Sequence, residues 1–200
     1  MTLLEKRPAE AFREGGIPVL ETQRLTLRAP DADDAKAVAV LANDIRIAQN
    51  TVRIPHPYAL ADAEAWLAKA NTAAGEVTFL VTLNDGTIIG ACGFDPRDGR
   101  TPELGYWFGV AYWGKGYATE AARAVIDRAF GDLRHEVLHA GARVSNPASR
   151  RVLEKCGFQW TGVGLYRICS LASSAPADRF RLDRGIWASL KSWGEVRRAT

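Results

Sequence analysis

Apolar and polar residues alternate along RLTLRAP (24–30), where Leu25 and Leu27 are set against polar neighbours, the pattern of a strand buried on one face. The period then changes. In DADDAKAVAVLAND (31–44), Ala35, Val38, Leu41 and Ala42 fall on one helical face behind Asp31, which is suited to cap the first turn. A second helix is predicted over 60–74, with Ala63, Trp66, Leu67 and Ala70 as its apolar stripe. The prolines of RIPHPY (53–58) separate the two helices. Three strand-like runs follow, VTFLVTL (77–83), TIIGACGF (87–94) and PELGYWFGV (102–110), and the turn chemistry of NDG and DPRDGR between them predicts an antiparallel meander.

Helical spacing returns in Ala118, Ala122, Val125, Ile126 and Ala129, and Gly131 stops it. VLHAGARV (137–144) is strand-like, so a strand, a helix and a strand in succession predict a right-handed parallel crossover. NPASRRVLEKCGF (146–158) is a short helix with Asn146 as cap, Pro147 at the first position and Gly157 as stop. Two last strands, near 158–164 and 179–182, flank LASSAPAD (171–178), which is read as a loop. The expected architecture is a single α/β domain over 21–190. It has a central mixed, mostly antiparallel sheet flanked by helices, a polar leader over 1–20 and a tail over 191–200.

Composition narrows the function classes. With 200 residues and 47% hydrophobic content, one domain can bury a core without disulfides or metals. Twenty-six Lys and Arg against 23 Asp and Glu leave a net charge of +3, poor grounds for a nucleic-acid partner. Cys92, Cys156 and Cys169 are odd in number and lack C-x-x-C spacing, so neither a disulfide framework nor a zinc site is expected, and a reducing cytoplasm fits. No run is apolar enough to predict a membrane partner.

The candidate chemistry lies in GVAYWGKGYATEAA (109–122). Its first seven residues match the G-x-x-x-x-G-K opening of a nucleotide-binding P-loop, but Gly116 stands where a magnesium-holding hydroxyl belongs. A dinucleotide fingerprint fails too, because counting from Gly114 reaches Thr119 at the last glycine position. Small residues at 114, 116 and 118, between a strand and a helix N-terminus, let backbone N–H groups approach an anion without hindrance from Cβ atoms. A phosphate without metal is the reading; a plain strand-to-helix turn is the alternative.

These residues resemble the GNAT N-acetyltransferases, in particular their ribosomal-protein-alanine (RimJ/RimL-like) branch. The resemblance runs from Arg24 to about Phe158, with a similar ending in FRLDRGIW. The family's Q/R-x-x-G-x-G/A loop is matched by Trp113 to Ala118 except that Trp113 replaces the first residue, and NPASRRVLEKCGF is similar to the family's N-x-x-S…LEK-x-GF segment. The resemblance implies acetyl-CoA as cosubstrate, no metal, and transfer to a primary amine, by default a protein N-terminal α-amine. A small amine such as an aminoglycoside, polyamine or amino acid is the alternative acceptor, and a non-catalytic CoA-binding module or a P-loop hydrolase are the rivals. The chain is expected as a monomer or homodimer.

The same resemblance assigns Gly114, Lys115, Gly116, Tyr117 and Ala118 to the pyrophosphate, with the Lys115 side chain either engaged or merely solvated. Phe108 and Val110 are expected to offer their backbones to pantetheine while their side chains join the core. Glu103 is the candidate general base, or else a carboxylate paired with arginine. Ser149 is placed near the CoA sulfur as a proton relay, or is simply a helix-end residue, and Asn146 both caps the helix and contacts pantetheine. His56 and Tyr58 are expected on the acceptor side, with His56 as alternative base or as a residue packed on proline. Cys156 has no histidine within its motif and is read as a structural thiol. Because residue 116 has no hydroxyl, turnover is expected to be unchanged by EDTA; activity lost to chelator and restored by magnesium would return the loop to the nucleotide-binding class.

Overall fold

The meander expected over 77–110 forms because each run exposes a continuous apolar face to a helix. The computed structural model describes residues 16–96 and 101–196. In chain order its elements are β1 (Leu20–Glu21), β2 (Leu25–Arg28), α1 (Ala35–Ala42), α2 (Ile45–Ala48), α3 (Leu60–Lys69), β3 (Val77–Leu83), β4 (Ile88–Pro96) and β5 (Pro102–Phe108). Then come α4 (Tyr117–Asp127), β6 (Val137–Arg143), α5 (Pro147–Lys155), β7 (Gln159–Ile168), β8 (Ser173–Asp183) and α6 (Arg184–Val196). The strands make one eight-stranded sheet in the order β1-β2-β3-β4-β5-β6-β8-β7. Every neighbouring pair is antiparallel except β5 and β6, the crossover through α4. The expected mixed, mostly antiparallel α/β fold is what the chain adopts.

Each face of the sheet has its own core. On one, Leu27, Phe79, Val81, Leu104 and Leu138 pack against Ala121, Ala122, Val125 and Ile126 of α4 and Leu153 of α5, all essentially solvent-free. At about 1.5–3 kcal/mol for each large side chain buried, this packing locks α4 and α5 to the sheet. On the other face, Leu80 and Ala91 pack against Ala35, Val38 and Ala42 of α1 and Ala63 of α3. That second core lies over β3 and β4 with Trp107 of β5 packed at its edge, and farther along the same face Glu103, His139, Arg143, Arg179 and Arg181 stand on β5, β6 and β8.

Several local expectations change for identifiable reasons. The helix predicted to 74 ends at Lys69, because Asn71 turns to φ 64° and its side chain accepts from Thr78 N at 2.6 Å and donates to Thr78 O at 3.0 Å, starting β3. The stretch 171–178 is not a loop: β8 begins at Ser173, with Ala175 and Ala177 buried, after a short turn at Cys169–Leu171. Pro176 is tolerated there because the ladder with β6 ends at Arg143↔Ala177, leaving position 176 beyond it. The short α2, capped by Asp44 accepting from Arg46 N at 2.8 Å, is too brief to announce itself by periodicity. The leader up to residue 15, and residues 97–100 of the predicted DPRDGR turn, lie outside the described residues.

Asp31 does cap the segment before α1, and Asp34 completes the reciprocal bond by accepting from Asp31 N at 2.8 Å. Asp34 also accepts from Arg28 Nη1 at 2.8 Å and Nη2 at 2.6 Å, joining β2 to the helix entry. Burial pushes its carboxyl up, but the bonds from Arg28 and Asp31 N outweigh that and hold it below the ordinary carboxylate range. A depressed folded value means that this stabilisation is complete above the unfolded value of about 4 and is lost as pH falls through the folded one. Asp34→Asn is expected to cost about 1.5–3 kcal/mol in urea unfolding at pH 7 and progressively less below pH 4; an equal deficit at pH 3 would contradict the ion-pair origin.

Candidate active site

β4 and β5 stay paired from Gly90↔Phe108 to Pro96↔Pro102, and β6 stays paired with β8 from Val137↔Asp183 to Arg143↔Ala177. Between these ladders, β5 and β6 share two Cα partners, Glu103↔His139 and Leu104↔Ala140. Past Leu104 the strands part, and a wedge opens between residues 105–108 and 141–143. Gly109 N donates to Ile89 O at 2.9 Å, which by antiparallel alternation turns the main-chain groups of Trp107 toward β4 and those of Tyr106 and Phe108 into the wedge. An extended ligand containing amides can pair with such an edge as an added strand.

The strand ends earlier than its sequence suggests. Phe108 is its last residue, and Val110 opens a short 3-10 turn, so of the two expected backbone contacts Phe108 borders the wedge and Val110 lies beyond it. Trp113 stitches this turn down: its Nε1 donates to Phe108 O at 2.7 Å and its backbone N to Val110 O at 3.2 Å. The residue that departs from the general loop pattern therefore anchors the loop to the strand.

Beyond Trp113, Gly114 and Gly116 adopt φ of 73° and 84°, left-handed conformations that L-residues rarely take, and Gly116 becomes the N-cap of α4. Residues 114–116 are exposed, and the amides of the first turn of α4 carry the positive end of the helix dipole. The Lys115 ammonium lies 5.8 Å from the Tyr112 ring centroid. Behind the loop, Arg24 donates from Nη1 to Lys115 O at 3.0 Å and from Nε to Glu120 Oε2 at 2.7 Å, and its guanidinium stacks 4.7 Å from the Tyr117 ring centroid. Glu120 accepts in addition from Thr22 Oγ1 at 2.7 Å and Arg24 N at 2.9 Å. Its own burial pushes the Glu120 carboxyl up, but these bonds keep it below its usual range and so ionised.

Two groups of side chains flank the wedge on opposite faces of the sheet. On the α5 face, the hydroxyls of Tyr106 and Ser149 are 2.9 Å apart, and Tyr106 also reaches Ser149 O at 3.2 Å. Asn146 Oδ1 accepts from Ser149 N at 3.1 Å, so the expected cap is formed and Ser149 is held from two sides. Burial drives the Tyr106 hydroxyl well above its ordinary value despite the bond to Ser149, so it remains protonated. On the other face, Glu103 leans over Gly141. A Cβ built there would come within 3.4 Å of Glu103 Oε1, 3.2 Å of the Tyr166 hydroxyl and 3.1 Å of the Tyr166 ring. Glu103, His139, Gly141, Arg143, Arg179 and Arg181 share this face by register.

The loop bearing His56 and Tyr58 packs on the face of the sheet that Glu103 shares, with Tyr58 turned inward. Tyr58 is 8% exposed in the second core, its hydroxyl pushed up to about 12 by burial and then by Asp62, and its N–H donates to Asn43 Oδ1 at 2.9 Å. It braces the loop. His56 is exposed and faces Asp44, to whose lowered carboxyl value it contributes last, after the bonds from Arg46. Nearer the wedge, Arg143 donates to Gln49 O at 2.6 Å and Arg53 pairs with Asp95 at 2.7 Å. Cys156 is buried, its thiol pushed up to about 11 by desolvation, which suits the structural role expected of it. Among the described residues no group of three acidic, histidine or cysteine side chains could hold a metal ion.

Sequence comparison decides the family. A model of the acetyltransferase (GNAT) domain matches residues 24–159. The chain belongs to the GNAT acetyltransferase family. It is similar to the "Uncharacterized N-acetyltransferase p20" of Bacillus licheniformis, 30% identical over 152 residues that cover 72% of this chain and 84% of that one. A shorter match, 37% identical over 89 residues, covers 42% of this chain and 49% of the Bacillus subtilis "Putative ribosomal N-acetyltransferase YdaF". Among solved structures, the microcin C7 self-immunity acetyltransferase MccE, in complex with acetyl-CoA and AMP, superposes with a TM-score of 0.70 at 19% identity, covering 81% and 93% of the two chains. The protein is thus an N-acetyltransferase with the GNAT fold, which takes acetyl-CoA as cosubstrate.

Sequence reading missed Tyr106, Tyr166 and Arg24, whose partners lie on elements remote in the chain. In this GNAT acetyltransferase, Gly141→Val is expected to crowd Glu103 and Tyr166 while leaving the loop untouched. It should lower kcat/KM for the amine by about 10²-fold, as misplacement by an ångström can, with the Kd for CoA unchanged by calorimetry. Equal loss of CoA affinity would mean that Gly141 belongs to the cofactor side.

Proposed function

We propose that the protein acetylates the α-amine of a protein or peptide N-terminus by direct transfer in a ternary complex. The observation that carries the reading is the wedge, which opens between the glycine loop and Glu103 and lies between the two faces on which Glu103 and Ser149 stand. Pantetheine pairs with the edge at Tyr106 and Phe108, the pyrophosphate lies on the amides of Gly114 to Ala118, and the thioester reaches the level of Leu104 and Ala140. Acetyl-CoA approaches from the α4–α5 face and the amine from the Glu103 face.

The amine must be neutral to attack. Glu103, in contact with the space above Gly141, accepts the proton as the nitrogen–carbonyl bond forms. The carbon–sulfur bond then breaks and thiolate departs. Ser149, fixed by Asn146 and Tyr106, donates a hydrogen bond to the sulfur, while the proton taken by Glu103 leaves through solvent. Tyr106 acts on Ser149 as a positioning group, since its buried hydroxyl resists ionisation.

The guanidiniums on the acceptor face favour a peptide over a polyamine. Arg143 and Arg179 lie on the strands beside Glu103, where they would repel additional cations and can donate to carbonyl oxygens, whereas Arg181 beside them is matched by Asp183. The likeness to a protein named as a ribosomal N-acetyltransferase supports the same choice. A panel of peptides, spermidine, an aminoglycoside and free amino acids, read by thiol release, tests it: peptides should lead, and preferred turnover of spermidine would overturn the assignment. With the leading acceptor, Glu103→Gln should lower kcat/KM by about 10²-fold below the pKa of the amine and less above it. Full activity across pH 6 to 9 would remove Glu103 as base.

A further inference from the structure

Glu120 poses an electrostatic problem. It lies in the first turn of α4, the helix end whose amides are to receive the doubly charged pyrophosphate, and an unbalanced carboxylate there opposes the ligand. The structure turns it away. Thr22 Oγ1 (2.7 Å), Arg24 N (2.9 Å) and Arg24 Nε (2.7 Å) all donate to its oxygens, and Arg24 Nη2 approaches Oε2 to 2.6 Å. The carboxylate is thereby drawn to the segment before β2 and matched by one full positive charge.

The same guanidinium acts on the loop backbone. Nη1 donates to Lys115 O at 3.0 Å. In a trans peptide the carbonyl and the following N–H point in opposite directions, so holding Lys115 O toward Arg24 aims the N–H of Gly116 away from it, out of the loop. The stack on Tyr117 at 4.7 Å fixes the guanidinium between these two tasks. Between two left-handed glycines this peptide plane is held from outside the loop, by a residue more than ninety positions earlier.

We infer that Arg24 is the positioning residue of the pyrophosphate loop, screening Glu120 and orienting the 115–116 peptide so that its N–H meets the cofactor. The inference rests on the placement of the pyrophosphate in this loop and goes beyond it by assigning the loop's competence to a residue outside the motif. Arg24 is a loop-holding group with an electrostatic function, and the two alternatives separate by sign. If the Arg24–Glu120 pair only ties β2 to α4, breaking it from either end has the same effect.

Calorimetric titration with CoA of Arg24→Gln, Glu120→Gln, the double variant and Arg24→Lys makes the test, with folding checked by circular dichroism. Arg24→Gln should weaken CoA by about 10–100-fold, the scale of losing a charge-assisted interaction. Glu120→Gln removes the opposing charge; its amide oxygen can still accept from Thr22 Oγ1 and Arg24 N, and the guanidinium keeps its bond to Lys115 O and its stack on Tyr117, so the variant should bind CoA at least as tightly as the parent. The double variant should regain part of the loss, and Arg24→Lys, which keeps the charge but not the fork, should fall between. Equal weakening by Arg24→Gln and Glu120→Gln, or no weakening by folded Arg24→Gln, would overturn the inference. If Arg24→Lys alone folds among the Arg24 variants, parent-like affinity in it would also overturn the oriented-peptide role. A Gly116→Val control separates the premise: CoA affinity unchanged there would remove the loop as the pyrophosphate site, whereas affinity lost there with Arg24→Gln unaffected would refute Arg24 alone.

Discussion

The site depends on a parallel ladder that stops after two pairs. β5 and β6 join at Glu103↔His139 and Leu104↔Ala140 and then diverge, while each remains fully paired with its outer neighbour. Buried main-chain groups require partners, and an interior strand edge without a strand beside it invites an extended amide-bearing ligand. The cores on the two faces hold this divergence open. α4 and α5 are locked by Ala121, Val125, Ile126 and Leu153 to one core that runs through strands on both sides of the wedge, from Leu27 and Leu104 to Leu138 and Leu182, while Val38, Ala42 and Ala63 fix α1 and α3 to the opposite face.

From that constraint follows the division of labour. The groups proposed for the cofactor lie on the α4–α5 face: the glycine loop, Asn146, Ser149 and Tyr106. The groups proposed for the acceptor lie on the opposite face: Glu103, Tyr166 over Gly141, and the arginines of β6 and β8. In the proposed arrangement the two substrates meet across the thickness of the sheet, and neither has to pass the other. The hydrogen bonds that fix these groups are nearly all between elements remote in sequence, such as Tyr106 to Ser149, Arg24 to Lys115 and Arg143 to Gln49.

This remoteness explains what could be read from the chain. The strand-like run of 77–83 and the helical spacing after Gly116 are local, and both elements formed where expected. Asn146 and Pro147 are local signals too, and the cap they announce is present. The glycine loop was legible because its backbone demands small residues, although Trp113 owes its place to an indole bond with Phe108 O that no pattern reveals. Tyr58 looked available in a proline-rich loop and is instead packed in the second core, a tertiary choice invisible to periodicity. Tyr106 carries no signal of its own in the sequence; its ring packs against the core, and the hydroxyl at its tip reaches Ser149.

The claim that CoA enters the wedge as an added strand is tested most directly by amide hydrogen exchange resolved to single residues, with and without CoA. The account predicts new protection at Tyr106 and Phe108, on the β5 edge, together with Gly116 and the first turn of α4. Trp107, already turned toward β4, should not change. Protection confined to the loop, with the amides of Tyr106 and Phe108 exchanging as they do in the free protein, would contradict it.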